Sequence, residues 1–176
     1  MRRLMLLRHA KTERDSPTGR DRDRRLDERG RVDAGVIGDW MVRHSALPDR
    51  VLVSTAVRTR ETWDLLPEAI RRIPVEHVGE LYMAEPSDIL EVIHTVQDEP
   101  RRLLIIAHNP GLHEIAVALT KHGDAAARHE LNRNLPTSGL LTIALPVKSW
   151  DEVSLHTGTL EQFVTPKLLR GQAGAD

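Results

Sequence analysis

The chain has 176 residues, with 25 Lys and Arg against 26 Asp and Glu and a formal net charge of -1. So even a balance gives no global field to recruit nucleic acid or an anionic membrane, and the absence of Cys excludes disulfides, thiolate catalysis and thiolate metal sites. Forty per cent hydrophobic residues suffice for one domain core, and with three Trp, one Tyr and one Phe that core must be mostly aliphatic.

In chain order, the first apolar run covers residues 4–7 and stops at Arg8. Four residues are too few for a signal-peptide core or a membrane span, so a buried central strand is expected. The polar stretch 14–33 interleaves seven Arg with five Asp and one Glu, the pattern of a solvated surface. Val32, Val36, Ile37, Trp40 and Met41 then recur at helical spacing. Residues 51–53 form a second short strand, after which Ser54 and Thr55 offer N-caps for a helix with Leu65, Leu66, Ala69 and Ile70 on its apolar face. Pro67 should kink or restart that helix.

A third strand is expected over 75–78, followed by an amphipathic helix that starts near Pro86 and carries Ile89, Leu90, Ile93 and Val96. Residues 103–107 are the clearest strand and run directly into His108-Asn109-Pro110-Gly111. Asn109 suits an N-cap and Pro110 the first helical position, with Leu112, Ile115, Ala116 and Leu119 as one face. Strands are expected over 140–145, 153–155 and 160–164. The small polar stretch 171–176 is expected to be a disordered tail. Strands alternating with helices predict one α/β domain over residues 1–170. It should be a three-layer sandwich, a mostly parallel central sheet with helices on both faces and some antiparallel pairing near the C-terminus.

Ligands of open α/β sheets bind beyond the carboxyl ends of the strands. There the first strand delivers Arg8 and His9, the second leads to Ser54, Thr55 and Arg58, and the strand over 103–107 delivers His108. Two Arg and two His beside helix N-termini make an anion site suited to phosphate. Transfer of a phosphoryl group needs mainly positioning and stabilisation of negative charge, and His is able to act as the covalent nucleophile.

Leu7-Arg8-His9-Ala10-Lys11 resembles the RHG-type signature of the histidine phosphatase (phosphoglycerate mutase-like) superfamily, with Ala10 in place of Gly. The R-H-A-K variant is similar to the SixA-type phosphohistidine phosphatase branch. So are Asp23-Arg24-Arg25-Leu26 with Gly30, Ser54 to Thr62, Ile106 to Gly111, and the closing Gly158 to Phe163 with Pro166. The resemblance implies a phosphoglycerate mutase-like fold and a phosphorylated intermediate on His9, with Arg8, Arg58 and His108 holding the phosphoryl oxygens. It implies neither metal nor organic cofactor and a phosphorylated substrate such as a phosphohistidine-bearing protein. The absence of Cys allows the cytoplasmic location expected here, and the even charge balance leaves no nucleic-acid or membrane partner expected. The resemblance also places the 14–33 loop near the pocket, making Arg24 a candidate substrate contact. The carboxylic acid that serves larger members as proton donor would lie after the third strand, making Glu80 the candidate and Glu85 the runner-up.

His108 and His113 invite a metal reading, but five helical residues turn about 500°, leaving the two about 140° apart. A phosphomonoesterase for a small metabolite is the alternative function, and a non-catalytic phospholigand-binding module the second. A mutase is disfavoured, because so compact a chain has little room for a closing lid.

Overall fold

The computed structural model describes residues 1–173. Its strands are β1 (Arg2–Arg8), β2 (Arg50–Ser54), β3 (Val75–Val78), β4 (Arg102–Ala107), β5 (Thr120–Gly123), β6 (Leu140–Leu145) and β7 (Gly158–Val164). Its helices are α1 (Glu28–Arg43), α2 (Val57–Asp64), α3 (Glu68–Arg71), α4 (Pro86–His94), α5 (Gly111–Leu119), α6 (Ala125–Arg133) and α7 (Pro166–Ala173). No helix among the described residues is long and apolar enough to cross a membrane.

The strands form one sheet in the order β3-β2-β4-β1-β6-β7-β5. Pairings on the β3 side of β1 are parallel, β6 runs antiparallel to β1 and β7, and β5 returns parallel to β7. β1 lies mid-sheet, and its continuous apolar run follows from burial on both faces. Leu4 and Leu6 pack with Leu103 and Ile105 against Ile89 and Ile93 of α4 and Leu112 and Ile115 of α5. Met5 and Leu7 face the other way, with Leu104 and Ile106 against Ile37 and Met41 of α1, Trp63 of α2 and Ile70 of α3. The period-two alternation thus divides one strand between two cores.

Several local expectations are corrected. Ser54 ends β2 and Thr55 follows it, and neither caps α2; the position before Val57 is Ala56, without a side-chain cap. The two hydroxyls bond His108 and Arg22 instead. α5 starts at Gly111, and Asn109 turns its amide to Leu135 O at 2.8 Å rather than capping. The strand expected over 153–155 does not form: those residues are irregular and follow a 3-10 turn at Trp150–Glu152, whose buried Trp150 donates Nε1–H to Pro100 O at 2.8 Å. Pro67 separates α2 from α3, as its ring requires. Residues 171–173, expected in a tail, belong to α7, and 174–176 lie outside the described residues.

Two close approaches at glycine shape the neighbourhood of the site. A Cβ on Gly30 would lie 2.0 Å from Lys11 O, and one on Gly111 2.0 Å from Ala84 O. Only glycine lets α1 touch the loop after β1 and lets α5 begin against the segment that enters α4.

Candidate active site

The parallel order β2-β4-β1 brings three strand ends together. Arg8 pairs in register with Ala107, so the next residues, His9 and His108, stand side by side with ring centroids 5.4 Å apart. β2 ends at Ser54, and the first turn of α2 contributes Arg58. Four side chains named from the sequence, Arg8, His9, Arg58 and His108, are therefore gathered at one edge of the sheet. α2 and α5 begin just beyond these strand ends, so their first-turn N–H groups lie at the same end of the sheet.

His9 is 8% exposed and its Nδ1 lies 2.8 Å from Ala10 O. A carbonyl only accepts, so the proton sits on Nδ1 and Nε2 keeps its lone pair. Burial, reinforced by His108, Arg8 and Arg58 and opposed by the Ala10 bond, pulls the His9 pKa down to about 3. Burial and then the Arg58 charge pull His108 to about 3 as well, against Asp21, which raises it. Both rings are neutral near pH 7.

His108 Nε2 lies 2.6 Å from Ser54 Oγ, which is fully buried. No other acceptor for that hydroxyl is found among the described residues, so Ser54 donates to Nε2 and His108 carries its own proton on Nδ1. That Nδ1 is buried without a partner among the described residues, as are Arg8 Nε and Arg58 Nε. Three unspent donors on three neighbouring side chains make a site for an anion. Arg8 donates Nη1–H to Leu135 O at 3.2 Å, and burial, with the Arg58 charge alongside, lowers its pKa. The same carbonyl takes the Asn109 amide. Ser138 donates its backbone N–H to the carbonyls of both Arg8 and His9, so the loop before β6 fixes the end of β1.

Two groups escaped the sequence reading. Asp21, in a 3-10 turn at Asp21–Asp23, accepts from Arg58 Nη2 at 3.1 Å and from the Tyr82 hydroxyl at 2.7 Å. Its backbone carbonyl accepts from Arg58 Nη1 at 2.9 Å. The hydroxyl of Tyr82, then Arg24 and Arg58, outweigh desolvation and lower the Asp21 pKa to about 2. Tyr82 sets its ring edge-on to His108 with centroids 5.6 Å apart, and lies beneath the guanidinium groups of Arg22 and Arg58. Burial, then Asp21, raises its pKa. Asp21 was hidden within a run of alternating charges; Tyr82 is the chain's one Tyr, a signal that was available.

The remaining expectations fare differently. Arg24 bonds Glu13 O, Thr12 Oγ1 and Asp21 Oδ1, so it reaches the cluster through Asp21 while bracing the loop. Glu80 is exposed and lines a cavity of about 710 Å³ with Arg50, Leu52, Val78 and Glu91, a lining that includes none of Arg8, His9, Arg58 or His108. Glu85 occupies the position before α4, where its backbone N–H donates to Asp88. His113 is committed to Leu131 O at 2.6 Å.

Comparison with known proteins identifies the fold and the family. Residues 4–82 match the family model of the histidine phosphatase superfamily, branch 1. An uncharacterized Mycobacterium leprae protein is 34% identical over 169 residues, covering 92% of this chain and 100% of its own. SixA of Agrobacterium tumefaciens, a candidate phosphohistidine phosphatase, superposes with a TM-score of 0.78 at 30% identity, covering 94% of this chain and 98% of that one. SixA of Nakamurella multipartitia gives a TM-score of 0.81 at 25% identity, over 94% and 96% of the two chains. The sandwich is thus the phosphoglycerate mutase-like fold, and a likeness running end to end, at the identity found, places this chain in the histidine phosphatase superfamily, within its SixA-type branch.

Proposed function

We propose that the protein is a metal-independent phosphatase that works through a phosphohistidine on His9 and takes a protein phosphohistidine or another phosphoramidate as donor. The observation that carries this reading is the pairing of an Nδ1-protonated, neutral His9 with the unspent donors of Arg8, Arg58 and His108. In the first step the Nε2 lone pair attacks phosphorus and the bond from phosphorus to the leaving nitrogen breaks. The His9 ring gains positive charge, and its Nδ1–H becomes a stronger donor to Ala10 O. Arg8, Arg58 and His108 hold the equatorial oxygens as negative charge spreads over them. In the second step water attacks phosphorus, the P–Nε2 bond breaks and His9 regains its lone pair; phosphate leaves and the water's proton passes to product or solvent.

The choice of donor rests on acid chemistry. An alkyl phosphate must expel a basic alkoxide, which calls for a proton delivered in the transition state. Asp21 is ionised and shared among Arg58, Tyr82 and Arg24, and Glu80 lies in another cavity. Departing imidazole, by contrast, is protonated near neutral pH without help. The Arg charges beside the two His also oppose a divalent cation, which favours metal independence.

The test is a panel of phosphohistidine peptide, p-nitrophenyl phosphate and glucose 6-phosphate. The first two should turn over, with activity that survives EDTA, and a quenched reaction should yield an acid-labile, alkali-stable adduct on His9. A His9→Ala protein with full turnover, or activity restored only by Zn²⁺, Mn²⁺ or Mg²⁺, refutes the mechanism. Glucose 6-phosphate as the best substrate would support a small-metabolite phosphomonoesterase instead. Phosphate binding without turnover on any donor would leave a binding module.

A further inference from the structure

We propose that Asp21 is the positioning residue of the phosphoryl clamp: braced by Tyr82 and Arg24, it holds the Arg58 guanidinium in the orientation that the transferring group requires. The inference rests on the phosphatase reading above and extends it to a residue that never touches the substrate.

Arg58 has five N–H donors. Nη1 gives one to the Asp21 carbonyl and Nη2 one to its carboxylate, while Nε is buried with no partner. The two bonds fix the plane of the fork and leave Nε and one hydrogen on each terminal nitrogen for an anion. Asp21 is itself fixed from two further directions, by Tyr82 Oη–H on Oδ2 and Arg24 Nη1–H on Oδ1. Three segments distant in sequence therefore converge on one carboxylate: the 3-10 turn with Arg24, the first turn of α2, and the residue that follows the Gly79–Leu81 turn.

The rival reading is an ordinary surface ion pair, and the Asp21 side chain is 48% exposed. Exposed pairs contribute little to stability. But the Arg58 side chain is 7% exposed, and a long side chain directed into a phosphate site without an anchor has several rotamers to lose on binding. A transition state tolerates such disorder less than a ground state does.

The opposed effects of charge and order supply the test. Asp21→Asn removes a negative charge near the pocket, so inorganic phosphate should bind as tightly or more tightly by calorimetry. Orientation of Arg58 is lost at the same time, so kcat for p-nitrophenyl phosphate should fall by about tenfold or more. In an Arg58→Ala background the same substitution should alter kcat by less than about twofold, because residues acting as a unit are not additive. Tyr82→Phe, which keeps the carboxylate, should lower kcat in the same direction without weakening phosphate binding.

A smaller loss in Asp21→Asn, phosphate binding that weakens along with kcat, or a full additional loss in the Arg58→Ala background overturns the proposal. A readout independent of turnover separates its failure from that of the phosphatase reading. The NMR signal of Arg58 Nε–H, identified by its disappearance in Arg58→Ala, should show a rigid guanidinium in the wild type and a mobile one in Asp21→Asn. Equal mobility in the two proteins overturns the positioning role whatever the substrate proves to be.

Discussion

In the proposed mechanism, His9 is prepared for attack by what surrounds it rather than by a base that removes its proton. Its Nδ1 proton is held by Ala10 O, and burial with the neighbouring His and Arg lowers its pKa to about 3, so the ring is neutral near pH 7. Arg58→Ala should therefore lower kcat/KM by more than about a hundredfold, since it removes a charge-assisted clamp strongest in the transition state. Glu80→Gln should change phosphohistidine turnover by less than about tenfold, short of the range expected for a general acid; steady-state rates on the purified variants check both. Arg8, His9, Arg58 and His108 were legible because strand ends and helix starts are marked by hydrophobic runs that stop abruptly. Asp21 was not, because its partners Arg58 and Tyr82 are brought to it only by the folded sheet. Glu80 was misplaced for the same reason. It lies two residues from Tyr82, whose ring meets His108, but the exposed 3-10 turn sends it to a cavity whose lining includes none of Arg8, His9, Arg58 or His108.

Among the elements, β1 and β4 announce themselves as continuous apolar runs because helices cover both faces of the sheet. β5 could not be read this way. Thr120-Lys121-His122-Gly123 has no apolar alternation, and among the described residues it is an edge strand paired with β7 alone. Helix starts were also misread, because residues with good capping chemistry are used at this site for other bonds: Ser54 for His108, Thr55 for Arg22 and Asn109 for Leu135. Here tertiary hydrogen bonding displaces local propensity. The start of α5 is placed instead by packing, through the contact of Gly111 with Ala84 O. Gly111→Ala should cost about 1–3 kcal/mol, as overpacking against backbone does. It should also lower kcat, because His108 is three residues upstream. A urea titration paired with steady-state kinetics measures both, and an unchanged midpoint would show that the α4–α5 approach can relax.

For the molecule as a whole, the site is a place where stability is given up. Arg8, Arg58 and two His share one buried corner, and burial lowers the pKa values of Arg8, His9 and His108. An unfolded His has a pKa of about 6.5, while His9 and His108 in the folded chain sit at about 3. Between those values the unfolded chain binds protons that the folded chain refuses, so stability rises with pH across the window. The contribution of the two neutral rings is complete above about pH 6.5 and is lost as pH falls toward 3. Asp21 acts in the same direction lower down: its carboxylate, shifted from 3.8 to about 2, contributes above 3.8 and is lost as pH falls through that interval. Urea midpoints measured from pH 7 to pH 4 should therefore fall, and fall less steeply in a His9→Asn, His108→Asn double variant. Equal slopes in the two proteins would mean that the rings titrate normally in the fold. On the proposed reading, inorganic phosphate supplies the negative charge that these Arg and His side chains call for. It should raise the midpoint of the wild type in proportion to ln(1 + [L]/Kd) and raise that of Arg58→Ala much less. On the proposed reading, the arrangement that costs stability at this corner is the one that favours a phosphoryl group there.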